Sequence, residues 1–172
     1  MIEQVILVDR SDTAIGQMEK MEAHEKGLLH RAFSVFIFNS KRELLLQQRA
    51  AHKYHSAGLW TNTCCSHPRP GELNEAAAMR RLSEEMGMEC ALSYGFNFTY
   101  KATFNDGLIE HELDHVFFGI SDDSPVINTE EVESYKYVDL DFLLEDVQRN
   151  PDKYTPWLKI CLERVIEVVK VD

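Results

Sequence analysis

The chain of 172 residues has no apolar run near the roughly 20 residues that a membrane-spanning helix needs. It also lacks a basic excess: 18 Lys and Arg stand against 29 Asp and Glu, for a net charge of −11. Nucleic acid is therefore not expected as a partner, since a phosphate backbone demands a basic surface. Cysteine is sparse. None of Cys64, Cys65, Cys90 and Cys161 forms a C-x-x-C pair, so neither a zinc ribbon nor a disulfide framework fits. The first ten residues, MIEQVILVDR, show no basic n-region and no cleavage site. A secretory signal is not expected, and reduced thiols in a cytoplasm are the simplest reading. Internal repeats and low-complexity segments are missing as well. What remains is an ordinary globular mixture, 44% apolar and 27% charged, whose length suits one domain over 1–172. Such an acidic protein binds an anion only if a few Lys and Arg, or a metal, make the pocket cationic locally.

Patterning predicts an α+β domain with a mixed or antiparallel sheet packed by helices. Gln4–Val8 and Ala32–Asn39 are apolar, β-branched or aromatic and read as strands. The turn Asn39–Arg42 leads into Glu43–Arg49 as a hairpin, and Thr61–His67 reads as irregular backbone. Asn74 is expected to cap a helix running through Met86, with Gly87 as its terminator. Leu92–Ala102 and Ile109–Ile120 are predicted strands joined at Asn105-Asp106-Gly107. Tyr135–Val138 is a short strand, Leu140–Gln148 a short helix, and Pro156–Val171 a terminal amphipathic helix.

Chemistry-bearing residues collect in three places. On the helix from Asn74, Met79, Leu82 and Met86 form the expected buried stripe, with Ala78, Arg81 and Glu85 on its flank and Arg80 and Glu84 in solvent. Glu85 is therefore the better candidate ligand of the two glutamates; an i, i+4 ion pair supporting the helix is the plainer alternative. On Ile109–Ile120, Glu110, Glu112 and Asp114 share a face that continues as Val116 and Phe118. Carboxylates about 7 Å apart on a partly buried strand repel unless a cation or proton intervenes, so they suit metal binding or acid–base work. His24, His30 and His67 supply imidazoles that suit first-row ions, while carboxylates also suit magnesium and manganese. Hydrogen-bonded core histidines and a polar sheet edge are the corresponding structural readings. Cys65 lies in a stretch of small polar residues before Pro68, where a neighbouring metal or cation would lower its pKa toward neutrality.

Three segments together carry a resemblance: TNTCCSHP (Thr61–Pro68), GELNEAAAMRRLSEEMGM (Gly71–Met88) and IEHE (Ile109–Glu112). They are similar to the type I isopentenyl-diphosphate isomerases, a branch of the Nudix fold, over Lys20 to Trp157. Against the Nudix box G-x5-E-x7-R-E-U-x-E-E-x-G-U, with U apolar, Glu72, Arg80, Leu82, Glu84, Glu85, Gly87 and Met88 match. Ser66 stands where the first glycine belongs, and Arg81 replaces a glutamate that hydrolases use for magnesium. The resemblance implies a divalent metal (Mn, Zn or Mg) on His24, His30, His67, Glu110 and Glu112. It implies Cys65 and Glu112 as an acid–base pair on opposite faces of the substrate, assisted by Tyr100. Glu85 would hold a magnesium ion bridging to the substrate diphosphate, Lys20, Arg49, Lys53 and Arg81 would engage that diphosphate, and Trp157 would lie beside the five-carbon chain. One departure is the six-residue spacing of His24 and His30, where about seven is expected in bacterial relatives.

The expected reaction interconverts isopentenyl and dimethylallyl diphosphate by protonation and deprotonation through a carbocation-like species. Two rivals share parts of this pattern. A Nudix hydrolase of a nucleoside diphosphate compound would use Glu85 but leave Cys65, His67 and the Glu110–Glu112 pair without a task. A non-catalytic domain would hold only a structural metal.

Overall fold

Alternation along one central strand dictates the layering. The computed structural model describes residues 2–53 and 55–171, the side chain of Val171 excepted. In β3 (His30–Phe38), Phe33, Val35 and Ile37 point to one side of the sheet, Phe36 and Phe38 to the other, and all are buried. A strand apolar on both faces requires a packed layer on each side. One layer is α2 (Asn74–Met86), whose Ala77, Ala78, Leu82 and Met86 meet Phe33, Val35 and Ile37. The other comprises α3 (Leu140–Arg149) and α4 (Pro156–Val171), whose Leu143, Leu158, Leu162 and Val165 meet Phe36 and Phe38. The fold is α+β, as expected.

The sheet is mixed and, among the described residues, nine-stranded. Besides β3 it contains β1 (Gln4–Val8), β2 (Ala14–Glu19), β4 (Leu44–Arg49), β5 (Trp60–Thr61), β6 (Cys64–Ser66), β7 (Ser93–Thr103), β8 (Ile109–Ile120) and β9 (Val132–Val138). On one flank of β3 runs β8, parallel and in register from His30 opposite Glu112 to Phe38 opposite Ile120; β7 lies antiparallel beyond it. On the other flank β3 meets β1 at His30, β6 over Phe33 to Val35, and β4 at Phe38.

The predicted β3–β4 hairpin thus pairs only at its turn, and the two strands then splay. Thr63 fills the gap: its Oγ1 accepts from the Ile37 amide (2.9 Å) and donates to the Leu45 carbonyl (2.6 Å). Gln47 Nε2 donates to the Thr63 carbonyl at 2.7 Å. The stretch read as irregular therefore holds the end of β5 and all of β6, and its small polar side chains replace the missing ladder bonds.

Three other expectations are corrected. The N-cap of α2 is Leu73, without a side-chain cap bond, and Asn74 is the first helical residue. Met79 is 43% exposed, because the stripe of α2 is centred on Ala78, Leu82 and Glu85 and a one-residue step of 100° turns residue 79 outward. Strand β2 and helix α1 (Lys20–Lys26) were not expected: β2 is polar and mostly exposed, and α1 has only seven residues, too few to show a period. Glu19 caps α1 by accepting from the amides of Met21 and Glu22. Gly27 ends it at φ 66, a left-handed position where a Cβ would also lie 3.1 Å from Ile109. Among the described residues no helix is long and apolar enough to cross a membrane.

Truncating Leu82 to Ala should cost about 2–5 kcal/mol, because it empties a fully buried site between α2 and the sheet. The Met79→Ala change should stay within about 0.5 kcal/mol. Urea unfolding of the two variants tests this rotation of the helix; a costly Met79→Ala would contradict it.

Candidate functional site

Register decides which side chains meet. Paired residues on neighbouring strands share a face, so His30 and Glu112, Tyr100 and Glu112, and Ser34 and Cys65 all lie on the side covered by α4. The Ser34 hydroxyl donates to Asp114 Oδ2 at 2.7 Å on that same side. Cys64, opposite Val35, turns the other way into the layer formed with α2. Cys65, Glu110, Glu112 and Asp114 then line one cleft together with Trp157, at the end of the sheet where apolar filling stops.

The predicted histidines converge beside it. Ligand atoms of His24 on α1, His30 on β3, His67 after β6 and Glu112 on β8 all lie within 4.8 Å of one another, and all four residues are buried. His24 Nδ1 sits 2.7 Å from the Lys20 carbonyl and His30 Nδ1 2.9 Å from that of Leu28. A carbonyl only accepts, so each Nδ1 carries the proton. Backbone contacts of this kind orient metal-binding histidines with Nε2 turned to the ion. His30 Nε2 (3.2 Å) and His67 Nε2 (2.6 Å) both face Glu112 Oε2. An imidazole lone pair facing a carboxylate oxygen repels it unless a proton or a cation lies between. Burial, reinforced by the neighbouring His30, holds His67 well below its usual range and hence neutral. Three imidazoles and a carboxylate form a donor set that fits a divalent first-row ion. The short spacing of His24 and His30 does not separate them: the left-handed turn at Gly27 brings their rings to 5.1 Å.

Glu110 stands slightly apart, with Oε1 4.0 Å from His24 Nε2 and Oε2 3.0 Å from the Nε2 of His55. His55 was missed in the sequence, where it is one of seven histidines and lies on no periodic element. Its buried ring stacks on Phe104.

Electrostatics separate two of the groups that line the cleft. Burial alone would raise the Glu112 pKa; the neighbouring His30 and Glu110, and the Tyr100 hydroxyl that donates to Oε1 at 2.6 Å, hold it down at about 2. Tyr100, pushed up by its own burial and by the carboxylates, stays a phenol and donates. Cys65 reverses the expectation of an acidified thiol. Desolvation pushes it up, Arg49 offsets this only in part, and the thiol stays protonated. Asp114 is likewise pushed up by burial and by Glu112.

Trp157, in the first turn of α4, roofs the cleft at 2% exposure. Its Nε1 donates to Asn62 Oδ1 at 3.2 Å, and the Arg49 guanidinium lies 5.3 Å from its ring. Asn62 Nδ2 in turn donates to the carbonyls of Val35 (3.1 Å) and Cys64 (2.8 Å), tying sheet and helix together. Nothing in the sequence marks Asn62 for this role, since buried amides carry no periodic signature.

Lys20, Arg49, Lys53 and Arg81 all line the same cleft. Lys20 pairs with Glu3 at 3.3 Å, Lys53 with Glu131, and Arg81 reaches Glu131 at 3.6 Å. Glu85 does not join the histidine group. It lies behind Arg81 (3.2 Å), 4% exposed, accepting from Cys64 Sγ at 3.2 Å and Gln47 Nε2 at 3.3 Å.

Comparison with known proteins adds to this geometry. A NUDIX domain model matches residues 28–158. The protein named isopentenyl-diphosphate Delta-isomerase 2 of Aromatoleum aromaticum is 56% identical over 166 residues, 96% of this chain and 88% of that protein. Isopentenyl-diphosphate Delta-isomerase of Pectobacterium atrosepticum is 54% identical over 164 residues, 95% of this chain and 92% of that one. A crystal structure of a Deinococcus radiodurans protein superposes with a TM-score of 0.79 at 20% identity, over 94% of this chain and 98% of the other, and speaks to the fold alone.

Replacing Asn62 by Ala removes the acceptor of Trp157 and two donors to buried carbonyls. It should destabilise the protein by roughly 1–3 kcal/mol and alter tryptophan emission. Unchanged stability and emission would show that the roof stands without it.

Proposed function

The chain belongs to the NUDIX family and, within it, to the isopentenyl-diphosphate Delta-isomerases, and from this premise we propose that it moves the double bond of isopentenyl diphosphate to give dimethylallyl diphosphate. One observation carries the reading. Cys65 and Glu112 come from different strands yet line one cleft under Trp157, with Glu112 held by two imidazoles and a phenol.

An unactivated alkene must gain a proton at its terminal methylene, which leaves a tertiary cation-like centre, before losing one from the chain methylene attached to that centre. That demands a donor and an acceptor on opposite sides of a flat substrate. Cys65 with its proton and Glu112 without one form such a pair, with Tyr100 steadying the carboxylate. Trp157 would face the developing positive charge, a contribution of about 0.5–2 kcal/mol. Its larger service is to keep water away from a cation that water would convert to an alcohol. Lys20, Arg49, Lys53 and Arg81 would grip the diphosphate, which resolves how an acidic protein binds an anion.

His24, His30, His67, Glu110 and Glu112 are the residues that would hold a divalent ion (manganese, zinc or magnesium). Bound there, it would supply positive charge that fixes Glu112 and tunes its acidity. Glu85, now engaged by Arg81, Cys64 and Gln47, is the residue that would hold a magnesium ion, whose charge would offset that of the diphosphate. A Nudix hydrolase reading is less favoured, because Arg81 takes the place of a box glutamate and is engaged with Glu84, Glu85 and Glu131. We read residues 1–172 as one domain acting in the cytoplasm, where its four free cysteines would stay reduced.

Incubation with isopentenyl diphosphate in heavy water should place solvent deuterium in the methyl group of dimethylallyl diphosphate. Release of phosphate without isomerisation would refute the reading. Cys65→Ala and Glu112→Gln should each lower turnover roughly 10²–10⁴-fold with circular dichroism unchanged, and near-normal turnover in either would remove that residue from its role. Stripping divalent ions with a chelator should abolish turnover, and adding manganese, zinc or magnesium back should restore it.

A further inference from the structure

His55 has no part in the mechanism above, yet it is 6% exposed and held in one orientation. Its ring lies 4.6 Å from that of Phe104 with planes 3° apart, and its edge meets Trp157 at 5.9 Å. In that orientation Nε2 is 3.0 Å from Glu110 Oε2, an oxygen that accepts no hydrogen bond among the described residues. A ring nitrogen and a carboxylate oxygen this close together are the two donor types that a divalent first-row ion takes.

A second observation agrees. The ligand atoms of His24, His55 and Glu110 lie within 4.8 Å of one another, the same span that encloses those of His24, His30, His67 and Glu112. With bonds of about 2.1 Å, trans donors of an octahedron stand about 4.2 Å apart, so each set taken by itself is near the span that one ion gathers. His24 belongs to both sets, and the two glutamates are divided between them.

We propose that His55 is a sixth ligand of the buried metal centre, entering from the side of Glu110, so that one ion gathers four imidazoles and two carboxylates. The inference rests on the metal centre proposed above and deepens it. Five ligands leave one octahedral position open; His55 closes it. A centre closed in this way offers no position to water or substrate, and its ion acts on Glu112 by charge alone.

Cobalt(II) titration of metal-free protein, followed by visible absorption, tests this apart from turnover. Wild-type protein should bind one ion with the weak bands of six-coordinate cobalt. His55→Ala and His55→Leu should bind at least about 10-fold more weakly and show stronger bands, as five-coordinate cobalt does. His52→Ala, an exposed histidine on the same loop, should match wild type. The Leu variant keeps an apolar body against Phe104 and Trp157, so a packing role predicts that it behaves as wild type. Bands unchanged in both His55 variants, with or without weaker binding, would overturn the ligand assignment while leaving the metal centre standing. Wild-type protein that takes up no cobalt would overturn both.

Discussion

The parallel pairing of β3 with β8 sets His30 across from Glu112 inside the protein, and most of the surrounding architecture satisfies those two groups. A buried carboxylate with an unmet oxygen costs several kcal/mol. Here Oε1 faces Tyr100 and Oε2 faces two imidazoles. His30 is in turn fixed by the carbonyl of Leu28, just before its strand, and His24 beside it by that of Lys20, at the start of one short helix. α1, Gly27 and β6 are therefore best understood as holders of side chains; they add little to the apolar core.

Cationic residues around the cleft follow a related logic. Lys20, Lys53 and Arg81 each meet a carboxylate from a distant part of the chain, Glu3 or Glu131. The net charge of −11 is thus compatible with a cationic lining, because four positive groups gather at one cleft and only Glu3 and Glu131 at its rim face three of them. Arg81 does most of this balancing. It occupies the position at which the Nudix box carries an acid, and it turns a carboxylate corner of the fold into an ion-pair network with Glu84, Glu85 and Glu131.

Much of this was legible in the sequence, and the physical reason differs by element. The acidic face of β8 could be read because strand side chains alternate strictly, so Glu110, Glu112 and Asp114 declare their common side together with Val116. Helix α2 announced its length through its apolar spacing and Gly87, but the rotation of its buried stripe depended on Ala77 and Ala78, whose smallness lets the helix approach the sheet and whose signal is weak beside that of Met79. TNTCCSHP marked the site through resemblance, whereas the reason for its composition is tertiary: Thr63 bridges splayed strands and Asn62 joins sheet to helix. His55 and α1 lay beyond sequence reading because each is placed by contacts far along the chain, with no local period to betray it. The thiol at residue 65 departs from the expected acidification for an equally tertiary reason, since desolvation outweighs the nearby guanidinium.

The neighbouring thiols of β6 face opposite ways, and this makes the frame of that strand decisive. A slip by one position against β3 would bring Cys64 forward and send Cys65 into the apolar layer, so the same kind of atom would still greet the cleft. Such an error would be invisible at the sulfur, but His67 would rotate off its carboxylate and the neighbouring serine would turn inward. Asn62, anchored to the carbonyls of Val35 and Cys64, is the clasp that sets the count. Which cysteine the cleft displays is therefore a matter of backbone phase, fixed by an amide that touches neither sulfur.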